Sequence, residues 1–415
     1  MSLVRFLANL LRSGQLTLID VKGRRVSLGR RDAATPPDEP HVVVRFADRR
    51  TELKIAADPG LYAGEAYMDG RLIVESGTIY DLLAIVTRNA GRSVAGGLLE
   101  RWRHRWGPRL RRLQQSNPIA RARANVAHHY DLSRALYERF LDRDLQYSCG
   151  YFERPDMPLE AAQEAKKRLI ARKLLMRDGQ HVLDVGCGWG GLALSLAQAA
   201  KVEVLGITLS REQLEHARAR AAAAGLGDRV RFELSDYREV EGTFDRIVSV
   251  GMFEHVGEPH YDEYFAAIRA RLSPDGVALV HSIGRSDGPG ATNPWIRKYV
   301  FPGGYSPALS ETIPAIERSG LWLTDLEIWR MHYAETLRHW RARFATKRAE
   351  IAALYDERFC RMWEFYLAGS ECAFRYQGHV VFQAQLARSV DAVPPTRARC
   401  GRRRRRGRRT CRRAS

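Results

Sequence analysis

Residues 181–191, HVLDVGCGWGG, constrain the fold of this chain more than any other stretch. An apolar run ends at Asp184, and Gly186, Gly188 and Gly190 then turn tightly into an apolar helical stretch from Leu192. Glycine adopts positive φ at little cost and lets the backbone come close to a ligand. The turn opens an alternating array. Short β-rich runs at His181–Val185, Glu203–Ile207, Val230–Leu234, Phe244–Val250 and Val277–Ile283 alternate with helical stretches such as Leu192–Ala199 and Arg211–Ala224. Such alternation predicts an α/β fold, an open and mostly parallel sheet with helices on both faces. In these sheets ligands bind at the carboxyl ends of the strands, where the glycine turn falls.

Two nucleotide readings compete for that turn: a dinucleotide fold and an S-adenosylmethionine (SAM) methyltransferase fold. The dinucleotide pattern is GxGxxG, whereas the spacing here is GxGxG. A carboxylate at the end of the second strand would serve ribose in either case. That strand ends Gly206-Ile207-Thr208, which points instead to hydroxyl and amide contacts from Thr208 and Gln213.

The rest of the chain reads more simply. Residues 1–90 mix short alternating runs (Gln15–Val21, His41–Phe46) with turns and a Pro-rich TPPDEP at 35–40, as in a small α+β domain. Leu3, Phe6, Leu7, Leu10 and Leu11 share one helical face, read as a docking helix with a membrane anchor as the alternative. Residues 91–127 form a connector, with Trp102, Trp106, Leu110 and Leu113 at helical spacing among arginines. That composition suits a membrane interface or an interdomain helix equally. Residues 334–388 read as long aromatic-rich helices. The formal net charge is +19, and it lies wholly in two strips without acids: 8 Arg in Arg101–Arg123 and 11 Arg in Arg397–Arg413. Strips of this kind ask for a polyanion, either a phospholipid surface or nucleic acid. No apolar run is long enough for a transmembrane helix, and MSLVRFLANLL lacks the features of a signal peptide. The six Cys show neither a CxxC pair nor zinc spacing, so free thiols in a reducing cytosol and no metal are expected; His128-His129 has no third ligand to match.

The order of motifs resembles the cyclopropane-fatty-acyl-phospholipid synthases and mycolic acid cyclopropane synthases. The matching segments are QYSCGYF at 146–152, VLDVGCGWGG at 182–191, GITLSREQ at 206–213, SDYRE at 235–239, VGMFEHVG at 250–257, HSIG at 281–284, KYVFPGGYSP at 298–307, HYAETLRHW at 332–340 and RMWEFYLAGSE at 361–371. YMDG at 67–70 is a likeness to the extra domain of the phospholipid-acting branch. The resemblance implies a Rossmann-like SAM-dependent methyltransferase fold with a mostly parallel seven-stranded sheet, plus the small N-terminal α+β domain. It divides the chain into an accessory, lipid-associated domain and connector at 1–115, a catalytic domain at 116–390, and a disordered Arg-rich tail at 391–415.

It also implies a function: transfer of a methylene group from SAM to the cis double bond of unsaturated acyl chains in membrane phospholipids. An alkene is a weak nucleophile, so the sulfonium methyl and the double bond must be held together in a dry apolar slot. The resulting carbocation favours electron-rich aromatic walls and then needs a base. By resemblance that base is a bound bicarbonate, held by Cys149, Glu254, His281, the backbone of Ile283, and Tyr333. SAM contacts carried over are Tyr147, Ser148, Asp184, Gly186, Gly188, Trp189, Gly190, Thr208, Leu209, Gln213, Asp236 and Tyr237. Cys187 is read as a small filler. Alternatives are a methyl- or methylene-branched product from the same alkene, and a small-molecule N-methyltransferase, which would need no bicarbonate base. The expected setting is cytoplasmic, peripheral at the anionic inner membrane face, with no nucleic-acid partner and with a homodimer allowed.

Overall fold

The computed structural model describes residues 3–33, 35–91 and 133–396. Both arginine strips, His128-His129 and the tryptophans of the connector lie outside the described residues.

The N-terminal part builds a four-stranded sheet from β1 (Leu16–Ile19), β2 (Arg25–Leu28), β3 (Val42–Phe46) and β4 (Leu72–Ser76), in the order β2-β1-β3-β4. β1 runs parallel to β3, and the other two pairings are antiparallel. Side chains cap the helices around it. Asp48 accepts from Thr51 N–H at the start of Arg49–Ala57, and Thr78 and Asp81 form a reciprocal capping box at the start of Ile79–Ala90. The first helix, Leu3–Leu10, is a docking helix: Leu3, Leu7 and Leu11 are buried in the core with Leu16, Val42 and Ile85. Phe6 is the exception, on the exposed side of that helix.

The YMDG turn joins this sheet to the rest of the chain. Tyr67 Oη donates to Glu364 Oε2 (3.1 Å), Trp295 Nε1 points at Met68 Sδ (3.1 Å), and Arg358 Nε donates to Asp69 Oδ1 (2.9 Å). The helix Glu357–Tyr376 also buries Ala368 in the N-terminal core.

The larger sheet has seven strands: β5 (His181–Val185), β6 (Glu203–Thr208), β7 (Val230–Leu234), β8 (Phe244–Val250), β9 (Leu272–Arg285), β10 (Trp322–Trp329) and β11 (His379–Ala387). Their order is β10-β11-β9-β8-β5-β6-β7. The five strands from β9 to β7 are parallel, and β11 inserts antiparallel between β9 and β10. Layers on both faces explain the nearly continuous apolar strands: Val182 and Leu279 fall in one core, Leu183 and Val280 in the other.

Three expectations need correction. Residues 379–387 are a strand, not the end of a helical region, and Trp322–Trp329 is a strand that the sequence reading passed over. The chain also stays packed beyond residue 390, because Val390–Ala392 forms a 3₁₀ turn and Val393 is buried against Val277 and Ala387. Among the described residues no helix is long and apolar enough to cross a membrane.

Candidate active site

A cleft lies at the carboxyl ends of β5, β6 and β8, where the alternating array placed it. Its walls include Tyr147, Ser148, Asp184, Gly186, Gly188, Trp189, Thr208, Leu209, Gln213, Asp236 and Tyr237. Of the expected cofactor contacts only Gly190 is set back. Its φ is +82°, and a Cβ there would sit 2.8 Å from Phe232 and 2.9 Å from Ala217, so Gly190 shapes the turn without lining it. Gly191 is forced by a different neighbour, since a Cβ would fall 2.4 Å from the Asp144 carboxylate. That carboxylate accepts from Lys167 (2.7 Å) and Arg220, and Arg220 also donates to the Trp189 carbonyl (2.8 Å). Asp144 therefore ties the 144–148 segment to the glycine loop.

The polar groups of the cleft are partly committed. Thr208 Oγ1 donates to Gln213 Oε1 (2.9 Å), which leaves the Gln213 amide N–H₂ as the donor for a ligand. Asp236 is held bidentately by Arg238, at 2.8 Å on each oxygen. Tyr237 packs edge-on against Tyr264, and the Arg238 guanidinium lies over its ring. Asp184 differs from all of these. It is buried, and neither of its carboxylate oxygens has a hydrogen-bond partner. Burial raises it to about 7, with Lys166 pulling the other way. An orphaned carboxylate facing a glycine-lined cleft fits a cationic ligand. SAM carries an α-ammonium and a sulfonium, so the chemistry of this cleft suits it.

The second set of residues gathers behind the cleft, around a core rich in aromatic side chains. Cys149 and Tyr333 belong to that core, and Tyr147 and Ile283 pack against it. Tyr147 stacks on Trp340 (5.2 Å) and is edge-on to Tyr137 (5.3 Å); Trp340 in turn is edge-on to Tyr333 (5.8 Å). His281 and Ile283 share one face of β9, two residues apart, and the His281 ring packs against Trp329 (5.0 Å) of the same core. Glu254 lies in a 3₁₀ turn just past β8 and reaches the set through Oε1, which accepts the Ile283 N–H at 2.7 Å. The Ile283 amide, expected to face an anion, is thus taken by Glu254. The second oxygen, Oε2, is buried and unpartnered, and burial raises the carboxyl to about 7. Burial also pushes the Cys149 thiol far up and the His281 imidazole far down, so both are neutral. Cys187, buried with its thiol well above the usual range, is a filler of the loop.

Residues 118–384 match the mycolic acid cyclopropane synthetase family. The chain belongs to that family. It is 37% identical to the cyclopropane-fatty-acyl-phospholipid synthase of Escherichia coli K12, over 81% of this chain and 86% of that one. It is 44% identical to a probable fatty acid methyltransferase of Pseudomonas putida, over 61% of this chain and 65% of that one. A mycolic acid cyclopropane synthase solved with SAH and CTAB superposes with a TM-score of 0.61 at 33% identity, covering 66% of this chain and 99% of that one. The enzyme is a SAM-dependent methyltransferase of the cyclopropane synthase type.

Sequence reasoning missed three side chains of this family member's site. Lys166 is fully buried, donates to Gln146 Oε1 (2.8 Å) and Ser148 Oγ (2.6 Å), and is lowered to about 8 by burial. It acts electrostatically on Asp184, Cys149 and His281 alike, placing one positive charge between the cleft and the second set. A signal existed. Gln163, Lys166 and Lys173 fall on the same helical stripe as Leu159, Ala162 and Ile170, facing inward. Lys173 is the second, buried and salt-bridged to Glu327. His255, the third, lines the cleft, and burial lowers it to about 4, so it is a neutral group there.

Asp184 is expected to make SAM affinity depend on pH. A cationic ligand stabilises the carboxylate, so binding releases a proton wherever free Asp184 is protonated, and affinity falls as pH drops below about 7. Without ligand the sign for stability is opposite. A raised carboxyl contributes stability below the ordinary carboxylate range and loses it as pH climbs through about 7. Calorimetry in buffers of different ionisation heat at mildly acidic pH should show net proton release on SAM binding, abolished in Asp184→Asn.

Proposed function

We propose that this enzyme transfers a methylene unit from SAM to the cis double bond of unsaturated acyl chains in membrane phospholipids, closing a cyclopropane ring. The observation that carries the reading is the shared wall between two sites. Tyr147 and Trp189 line the cofactor cleft and also pack into the aromatic core that contains Cys149 and Tyr333. Bound SAM would supply an electrophilic methyl group at that wall. The chain's own residues supply the surroundings an alkylated alkene needs: aromatic faces from Tyr147, Trp340 and Tyr333, and a buried setting that excludes water.

Removal of a proton closes the ring, and the donor set suits a small basic anion such as bicarbonate. The neutral Cys149 thiol, the His281 imidazole and the Tyr333 phenol can all donate hydrogen bonds. Lys166 offsets the charge, and the unpartnered Glu254 Oε2 can hold the proton that would let a carboxyl sit beside an anion. We place the enzyme at the cytoplasmic face of the membrane, peripheral and possessing an electrostatic hold through Arg101–Arg123.

Incubation of the purified enzyme with labelled SAM and dioleoyl-phosphatidylglycerol vesicles tests this reading. Label should enter the acyl chains, with a gain of one CH₂ by mass spectrometry. Methylation of an amine acceptor with no label in lipid would overturn it. A second reading is a methyl- or methylene-branched chain from the same alkene; the Pseudomonas putida relative is described as a probable fatty acid methyltransferase and not as a cyclopropane synthase. Mass spectrometry of the derivatised product separates ring from branch.

A further inference from the structure

His281 sits in a polar line that crosses three strands in register. Glu327 of β10 pairs with Gln383 of β11, and Gln383 pairs with His281 of β9. Lys173, the last residue of the helix Leu159–Lys173, reaches into this line. Its Nζ is salt-bridged to Glu327 and donates to Gln383 Oε1 at 2.8 Å. Gln383 Nε2 lies 3.0 Å from His281 Nδ1. The lysine is itself located, because its backbone carbonyl accepts from Gln385, the next residue on that face of β11. Lys173, Gln383, Gln385 and His281 are all buried.

The order of donors leaves one solution. An ammonium group only donates, so the Gln383 amide must turn its oxygen to Lys173 and its N–H₂ to His281. An amide N–H₂ also only donates, so His281 Nδ1 must carry a lone pair. A neutral imidazole has one proton, which therefore resides on Nε2. We propose that Lys173 and Gln383 are positioning residues that hold His281 as the neutral Nε2–H tautomer, so that it meets a bound anion as a hydrogen-bond donor. The anion-binding role of His281 rests on the function proposed above; the tautomer does not. Burial, reinforced by Lys166 and Lys173, disfavours the imidazolium in the same place. Partners that fix the ring of a metal-bound histidine cost about 10–100-fold in affinity or activity when lost, and the same scale is expected for these partners of His281.

The test is ¹⁵N NMR of the full chain labelled at histidine, at neutral pH, with the His281 signals assigned as those missing from His281→Gln. In the wild type Nε2 should show the shift of a protonated nitrogen and Nδ1 that of an unprotonated one. An Nδ1–H tautomer or an imidazolium overturns the proposal, whatever the variants do. In Lys173→Met the amide is free to turn over, so both tautomers should appear. In Gln383→Glu an acceptor faces Nδ1, so the proton should move there. Each should lower kcat about 10–100-fold with unchanged SAM affinity. Lost activity with an unmoved tautomer in both folded variants would mean a merely structural role and sink the proposal. Because the spectra need no lipid, they stay readable even if unsaturated phospholipid is not the substrate.

Discussion

Glu254→Gln is expected to lower turnover by about 10²–10⁴-fold, the usual scale for loss of a proton-handling group, while leaving SAM affinity unchanged. The substitution is close to isosteric. The amide oxygen can still accept the Ile283 N–H, so the 3₁₀ turn after β8 keeps its anchor. What disappears is the ionisable oxygen Oε2, buried and without a partner. Glu254 does not line the cofactor cleft, although its neighbours Met252 and His255 do. Stability should move oppositely to activity. The wild-type carboxyl is raised from 4.5 to about 7, so its contribution is present at acid pH and lost as pH rises through about 7. The amide carries no such penalty. The variant should therefore gain on the wild type with rising pH, by up to about 3 kcal/mol above neutrality. Steady-state rates, SAM titration and urea unfolding at two pH values separate the outcomes. Parallel loss of SAM affinity, or turnover that survives, would remove Glu254 from the proton-handling role.

How far the sequence alone reaches is clearest at the strands. β5 to β8 were legible within a residue because parallel strands buried on both faces read as short apolar runs between helices. β11 was not. HVVFQAQLA places Gln383 and Gln385 inside an apolar run, right after a 20-residue helix. Nothing local marks those glutamines as buried, since their partners Lys173 and His281 are about 200 and 100 residues away along the chain. Trp322–Trp329 carries two acids and reads as surface, although Asp325 is buried and Glu327 pairs with Lys173. The site divides the same way. The glycine loop announces itself by local pattern, whereas Cys149, Glu254, His281 and Tyr333 come from four separate segments. Only the motif order of a known family brought those four together beforehand. Lys166 shows the opposite failure. A lysine carries no local sign of burial, and only its helical spacing with Leu159, Ala162 and Ile170 places it on the buried stripe.

The larger expected effect on folding is at Trp340. Trp340→Ala should cost about 3–5 kcal/mol, the range for emptying a buried tryptophan site. The indole is fully buried in the helix His332–Thr346. It stacks on Tyr147 and meets Phe140 (6.0 Å) and Tyr333 (5.8 Å) edge-on. Such ring pairs add to the area term, and their rigid surroundings limit collapse into the cavity. Its Nε1 has no hydrogen-bond partner in the described structure, so the deletion returns a little of the burial cost. Trp340→Phe, which keeps a ring against Tyr147, should lose far less. Function should report more than stability does. Tyr147 lines the cofactor cleft and Tyr333 belongs to the second set, so losing the ring between them loosens both at once. At temperatures where Trp340→Ala is still folded, kcat should fall well below the folded fraction, and Trp340→Phe should restore most of it. Urea unfolding, paired with rates normalised to folded protein, provides the check. If the normalised rate of Trp340→Ala matched the wild type, the aromatic core would be packing alone and not part of the reaction's wall.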